Sequence, residues 1–151
     1  MRVTTWTEYS LIITLHLAQR GGDASDPVPA RELAERERLP GDYVEQILLR
    51  LRRAGIVDSV RGAKGGYRLA RDPAEISVHD VMTAAEHQLF ETNCEHHQVD
   101  GLRCHPGSTC AIRPVWMELQ RRIDGYLQGV TIADMLHPEH PKQELVTLGP
   151  S

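Results

Sequence analysis

A proline–glycine break between two short helical patterns constrains the fold of this chain more than any other feature of its sequence. The first pattern predicts a helix from Pro29 to Arg38, with Pro29 in its first turn. The sequence Leu39-Pro40-Gly41 then makes a tight turn. The second pattern predicts a helix from Asp42 to Ala54, capped by Asp42 and ended by Gly55. Two short helices joined by such a turn are typical of a helix-turn-helix.

A glycine-rich hairpin is predicted directly after the second helix. Residues 56–61 and 67–70 have the pattern of short strands, and the glycines between 62 and 66 permit positive φ in the turn. Arg61 and Lys64 then lie at the hairpin tip. We therefore predict a mainly α fold, a winged helix-turn-helix whose wing is this β-hairpin. The alternative is an ordinary glycine-rich hairpin with no role in binding nucleic acid.

Positive charge is concentrated in this same stretch. Residues 50–71 contain seven basic residues and one acidic residue, a net charge of +6, although the whole chain carries a net charge of −4. A local basic stripe on an acidic protein is expected where phosphates are bound. A solvated helix face would also explain the charge alone, so its place next to the predicted wing is what favours DNA.

The helix-turn-helix plan assigns DNA contacts by position. The N-terminal part of the second helix enters the major groove, where glutamine can read adenine edges. Arginine side chains hold backbone phosphates, and an arginine on a wing can enter the minor groove. The predicted contacts are Asp42, Tyr43 and Gln46 in the major groove, Arg50 and Arg53 on phosphates, Arg61 in the minor groove, and Lys64 at the wing tip.

Further helices are predicted on both sides of this motif. A strongly apolar helix runs from Thr5 to about Arg20, and another runs from Ile76 to about His87. A long helix from Cys110 to about Gln128 carries a continuous apolar stripe. Since little of the chain remains to cover that stripe, we interpret it as a homodimer interface, with packing in the core as the alternative. A short segment from Thr131 to Leu136, capped by Thr131, follows it.

Three cysteines, Cys94, Cys104 and Cys110, lie within 17 residues, and the rest of the chain has none. Soft thiolates select iron–sulfur clusters, zinc or copper(I). The spacing lacks the paired knuckles of zinc fingers and suits a larger cofactor, with a residue other than cysteine as the last ligand. Zinc stays open because His96, His97 and His105 lie in the same loop, and a redox thiol switch is a third possibility.

The sequence resembles the Rrf2 family of winged-helix iron–sulfur transcription regulators over about residues 1–136. The most specific segments are Tyr43 to Leu48, Leu51 to Gly55, Val60 to Leu69 and the three cysteines; Thr7 to Leu11 and Thr131 to Met135 also fit the family. The resemblance implies a homodimer in which each subunit holds one cluster in the loop before the long helix.

The family supplies the last cluster ligand in two ways. In one branch a histidine three residues after the last cysteine completes the cluster, but here that position is Arg113. In the nitric-oxide-sensing branch an acidic residue in the first helix of the partner subunit does so, and Glu8 occupies that place. The resemblance therefore implies Glu8, acting across the dimer, as the fourth ligand, with His105 as the alternative. Three cysteines and a carboxylate favour a [4Fe-4S] cluster over [2Fe-2S].

These observations predict a DNA-binding transcription regulator, a repressor, that senses nitric oxide, redox state or iron supply. Residues 1–72 would form the DNA-binding domain, 73–136 the cluster loop and dimerisation helices, and 137–151 a flexible tail. An enzyme is the weakest alternative, because the sequence has no nucleophile–base constellation and no phosphate-binding motif, and we expect none. The chain has no signal-peptide pattern and no stretch of ~20 apolar residues, so we expect a cytoplasmic protein without membrane contact. The rivals are a cluster-free family member, controlled by a protein or small molecule, and a zinc-stabilised interaction module.

Overall fold

A computed structural model of the protein describes residues 3–20, 26–86 and 110–137. Within them lie six α-helices, a two-stranded sheet and one turn of 3₁₀-helix. The elements follow the chain as α1 (Thr5–Gln19), α2 (Ala30–Glu37), α3 (Gly41–Arg53), β1 (Val57–Val60), β2 (Gly66–Leu69), the 3₁₀ turn (Pro73–Glu75), α4 (Val78–Ala85), α5 (Arg113–Gly129) and α6 (Ile132–Leu136). The predicted tail, residues 137–151, falls outside the described residues except for His137.

The helix-turn-helix forms where the proline–glycine break predicts it. α2 ends at Glu37, and its C-cap residue Arg38 adopts a left-handed conformation with a φ of 55°. Pro40, in an extended conformation, is the N-cap of α3, and no side chain caps that helix end. The predicted N-cap role of Asp42 is therefore wrong. Because Gly41 already belongs to the helix, the Asp42 carboxylate lies in the first turn, where the helix dipole favours a negative charge.

The predicted start of α2 is also off by one residue. Pro29 precedes the helix as its N-cap rather than occupying its first turn, and its ψ of 143° is that of extended backbone. The end of α3 is as predicted, because Gly55 has a φ of 71°, which an L side chain rarely adopts.

The wing is an antiparallel hairpin in which Val57 pairs with Leu69 and Val60 with Gly66. Its base is attached to the segment before α2, because Val28 and Tyr67 exchange two backbone hydrogen bonds, each 2.8 Å long. Gly66 makes this approach possible. A Cβ atom at Gly66 would lie 2.4 Å from the backbone carbon of Val28.

α1 is the centre of the fold and contacts α2, α3, α4, α6 and β2. The inward face of α3 is buried as its helical spacing predicts. One hydrophobic core joins residues from both sides of the wing: Ile13, Leu17, Ala18, Val28, Leu33, Val44, Ile47, Leu48, Leu51, Ile56, Val57, Ile76, Val81 and Ile132.

Two capping boxes tie α4 to α6. The side chains of Ser77 and Thr131 cap these helices, and the backbone N–H of each cap residue donates in return to the carboxylate of Asp80 or Asp134. The two caps are neighbours, because Val78 N–H donates to the Val130 carbonyl and Ile132 N–H to the Ile76 carbonyl, both at 2.8 Å. The Thr131 cap is thus confirmed, and α6 closes over the core beside α1.

Candidate DNA-binding surface and cysteine site

The first turns of α3 present the residues predicted to enter a major groove. Asp42, Tyr43 and Gln46 are exposed, whereas Val44 and Ile47, which follow Tyr43 and Gln46 in the sequence, are fully buried. This alternation follows from the helical period, since residues three or four apart share a face. The fold thus brings the three predicted side chains to one exposed surface of the helix.

An aromatic cluster, Trp6, Tyr9 and Tyr43, joins this surface to the start of α1. The ring centroid of Tyr43 lies 4.8 Å from that of Trp6 and 5.9 Å from that of Tyr9. Sequence reasoning missed this cluster. The available signal was the spacing of Trp6 and Tyr9, which puts both rings on one side of α1.

Arg50, predicted to hold a phosphate, is engaged within the chain. Its guanidinium carbon lies 4.3 Å from the ring centroid of Trp6, and Nη1 donates a hydrogen bond to the carbonyl of Ala85. The side chain is half-buried. Arg53, by contrast, is exposed and forms no ion pair with any residue of the described part.

The wing holds its two predicted DNA contacts at the tip. Arg61 and Lys64 are both exposed in the turn between β1 and β2. Within the residues that the structure describes, neither pairs with a carboxylate. Their positions match those predicted, and their role in binding DNA stays a prediction.

Cys110 lies three residues before the first residue of α5 and is half-buried. Backbone N–H groups of Arg113 and Ile112 donate to its sulfur and lower the pKa of the thiol. The long helix α5 therefore begins three residues later than predicted, and Cys110 lies outside it. The Cys110 sulfur accepts hydrogen bonds from N–H groups at the start of that helix. Cys94, Cys104 and His105 lie outside the described residues.

Glu8 is exposed in the first turn of α1, one position from the half-buried Tyr9 and two from Trp6. Over residues 3–20, 26–86 and 110–137, no three His, Cys, Asp or Glu side chains come together in a way that could hold a metal ion.

The apolar stripe of α5 is largely exposed. Ile112, Val115, Trp116, Leu119 and Tyr126 are between 39 and 63% exposed. The other side of the helix contacts α4 and carries Asp124, whose carboxylate lies 3.8 Å from Nε2 of His79. No residue of α5 is fully buried, so packing in the core does not account for the stripe.

The sequence model of the Rrf2 family, described as iron-dependent transcriptional regulators, matches residues 3–138. The chain belongs to the Rrf2 family. It is 34% identical over 137 residues to the HTH-type transcriptional regulator IscR of Serratia proteamaculans (strain 568), covering 91% of this chain and 80% of that protein.

Solved structures agree with this assignment. The structure of T. potens IscR has a TM-score of 0.70 and 34% identity, over 90% of this chain and 86% of that one. CymR (YrzC), named as the global cysteine regulator of B. subtilis, has a TM-score of 0.72 and 27% identity, over 90% and 96% of the two chains. The predicted family and the mainly α winged-helix fold are therefore confirmed.

As an Rrf2 protein, the chain is a DNA-binding transcriptional regulator and not an enzyme. Among the described helices, none has the length and apolar character to span a bilayer.

Proposed function

We propose that this Rrf2 protein is a homodimeric repressor that senses nitric oxide, redox state or iron supply through an iron–sulfur cluster. The observation that carries the proposal is that the Cys110 sulfur accepts hydrogen bonds from backbone N–H groups at the start of α5. The chain also belongs to a family described as iron-dependent. The proposed ligands are Cys94, Cys104 and Cys110 of one subunit and Glu8 of the other.

The donor chemistry of the described residues fits such a cluster. N–H groups that donate to a sulfur favour the thiolate, which is the form that binds iron. Glu8 is exposed and is therefore accessible to a second subunit. A carboxylate is a weaker ligand for this centre than a thiolate, so Glu8 is the ligand that we expect to be released first. When bound, the cluster would supply reactivity towards nitric oxide or oxygen and a dependence on iron supply.

The exposed stripe of α5 supports the homodimer. Ile112, Trp116, Leu119 and Tyr126 are spaced by four, three and seven residues, the spacing of a helix–helix seam. The salt bridges of Glu118 with Arg121 and Arg122 lie off this line and mark the polar side of the helix. Two copies of α5 packed along the seam would cover apolar side chains that are exposed in one chain.

The DNA-binding surface is proposed to combine the exposed first turns of α3 with the wing tip. Asp42, Tyr43 and Gln46 would contact base edges, Arg53 a phosphate, and Arg61 with Lys64 the groove beside the wing. A homodimer would place two such surfaces on a two-fold symmetric operator.

The test is a comparison of Glu8→Ala with Glu75→Ala, both purified without oxygen. Glu75 is also an exposed acidic residue in a first helical turn, so it controls for loss of charge. We expect iron, sulfide and a broad absorption band near ~400 nm in wild type and Glu75→Ala, and a weakened band with a changed operator affinity in Glu8→Ala. About four irons per chain would support [4Fe-4S], and about two would support [2Fe-2S].

Two results would reject the proposal. A wild-type protein that stays colourless after reconstitution with iron and sulfide has no cluster. A cluster whose spectrum and effect on DNA are the same in Glu8→Ala excludes Glu8 as a ligand and leaves His105, to be tested by His105→Ala.

A second candidate is a cluster-free regulator that responds to a small molecule or a protein partner. It is favoured by the structural similarity to CymR, whose name as the global cysteine regulator does not mention iron. In that case the protein without metal would bind its operator as tightly as protein treated with iron and sulfide.

A further inference from the structure

Trp6 lies between two side chains of the recognition helix α3. Its ring is 4.8 Å from the ring of Tyr43 and 4.3 Å from the guanidinium carbon of Arg50, measured to its ring centroid. Tyr43 and Arg50 are seven residues apart, which is about two turns and roughly 10 Å along the helix axis. They therefore share one face of α3, and the indole of Trp6 fills the space between them.

The guanidinium of Arg50 has a second partner. Its Nη1 donates to the carbonyl of Ala85, the last residue of α4. Carbonyl groups at a helix C-terminus lack partners within the helix and carry the negative end of its dipole. A guanidinium stacked on an indole and bonded to such a carbonyl is held in place from both sides. These two contacts within the chain fix the place of the guanidinium and occupy one of its N–H groups.

The two segments that Arg50 connects lead to the proposed cluster ligands. The first turn of α1 carries Trp6 and, two positions later, Glu8. α4 ends at Ala85, and Cys94 follows nine positions later in the sequence. Tyr43, in the first turn of α3, is the DNA-facing end of this chain of contacts.

We propose that Arg50 is a positioning residue rather than a phosphate contact. By joining Trp6 to the Ala85 carbonyl, it ties the two segments that lead to the cluster ligands to the DNA-reading turn of α3. This inference rests on the proposed function where it concerns the cluster, and on the contacts alone where it concerns Tyr43. Arg50 thus transmits a change at either segment to the orientation of Tyr43.

The test compares Arg50→Lys and Arg50→Gln with Arg53→Gln. A lysine keeps the charge and can still hold a phosphate, but it cannot stack as a planar group and bond the carbonyl at once. If Arg50 positions Tyr43, both Arg50 variants weaken operator binding about tenfold, the effect of losing one charge-assisted hydrogen bond. In Arg50→Lys, the slope of the logarithm of operator affinity against the logarithm of salt concentration stays at its wild-type value. In both Arg50 variants, the ratio of operator affinities of cluster-loaded and cluster-free protein moves towards one. Arg53→Gln keeps that ratio.

Trp6→Leu and the double variant Trp6→Leu/Arg50→Lys complete the experiment. Since the two side chains act together, we expect the double variant to bind DNA no more weakly than the worse single variant. Wild-type affinity in Arg50→Lys, with a salt slope lower by about 0.9 only in Arg50→Gln, would identify a phosphate contact and overturn the proposal. So would additive losses in the double variant.

These outcomes are separable from failure of the cluster itself. If wild-type protein holds no cluster, the proposed function fails, but the salt slopes and the additivity still decide whether Arg50 positions Tyr43. Should Arg50→Gln fail to fold, as judged by circular dichroism, Arg50→Lys alone carries the decision.

Discussion

Replacing Gly66 by alanine should detach the wing from the body of the protein. The new Cβ would lie 2.4 Å from the backbone carbon of Val28 and 2.5 Å from its oxygen, so backbone rather than a flexible side chain must move. That movement breaks the two hydrogen bonds between Val28 and Tyr67. At about 1 kcal/mol each, they account for about 2 kcal/mol. The φ of 154° at Gly66 adds about 1 kcal/mol of backbone strain once a side chain is present.

The expected loss in the free energy of unfolding is thus about 3 kcal/mol, which lowers Tm by roughly 6–12 °C in a chain of this length. Urea denaturation followed by circular dichroism measures it. Gly41→Ala is the control, because nothing lies within 4 Å of a Cβ at Gly41 and its φ is not positive. Equal stability of the two variants would refute the argument from close approach. Operator binding by Gly66→Ala, measured below its Tm, should also weaken, since Arg61 and Lys64 lose their fixed position.

Three further substitutions test the core, the dimer and an acid-sensitive ion pair. Leu48→Ala should lower the free energy of unfolding by about 2–5 kcal/mol in urea denaturation, whereas its exposed neighbour Leu49→Ala should change it by less than about 0.5 kcal/mol; similar losses would contradict the observed burial. Trp116→Glu should convert a dimer into monomers in analytical ultracentrifugation, and Gln128→Glu, which adds the same charge on the same helix, should not; a dimer in both would place the interface elsewhere. The flanking arginines lower the pKa of Glu118 to about 2, so its stabilising contribution is present above about pH 4.5 and is lost as the pH falls towards 2. The Tm difference between wild type and Glu118→Gln should therefore shrink over that range, and a difference as large at pH 2 as at pH 4.5 would exclude the ion pair as its cause.

The helices and the wing could be predicted because their signals are local. Pro40 and Gly55 mark the ends of α3, and the buried residues Val44, Ile47, Leu48 and Leu51 repeat at helical spacing. The predicted start of α3 is wrong, and the reason is local as well. Asp42 is a common N-cap, but Pro40 had already fixed the extended conformation that the cap requires.

Contacts between distant segments could not be predicted in this way. The charge of Arg50 fits a phosphate contact when only α3 is considered. Its contact with the Trp6 ring and its hydrogen bond to Ala85 depend on how α1 and α4 pack on that helix, which no spacing within α3 encodes. The exposed stripe of α5 could be predicted only in part. Its spacing indicates an apolar face, but it does not indicate which surface covers that face.

The way in which α4 and α5 are fastened has a consequence for exchanging sensor segments between relatives. The capping boxes at Ser77 and Thr131 adjoin, and α4 packs on α5, so the two ends of the intervening segment have fixed anchors. A graft that joins the chains at Ala85 and Cys110 leaves the core intact, and a loop of a different length costs little extra closure entropy. A graft that joins them at residue 72 would instead separate α4 and α6 from the α1 surface on which they evolved to fit. We therefore expect that the segment between Ala85 and Cys110 can be exchanged without disturbing the core, whereas the C-terminal half cannot.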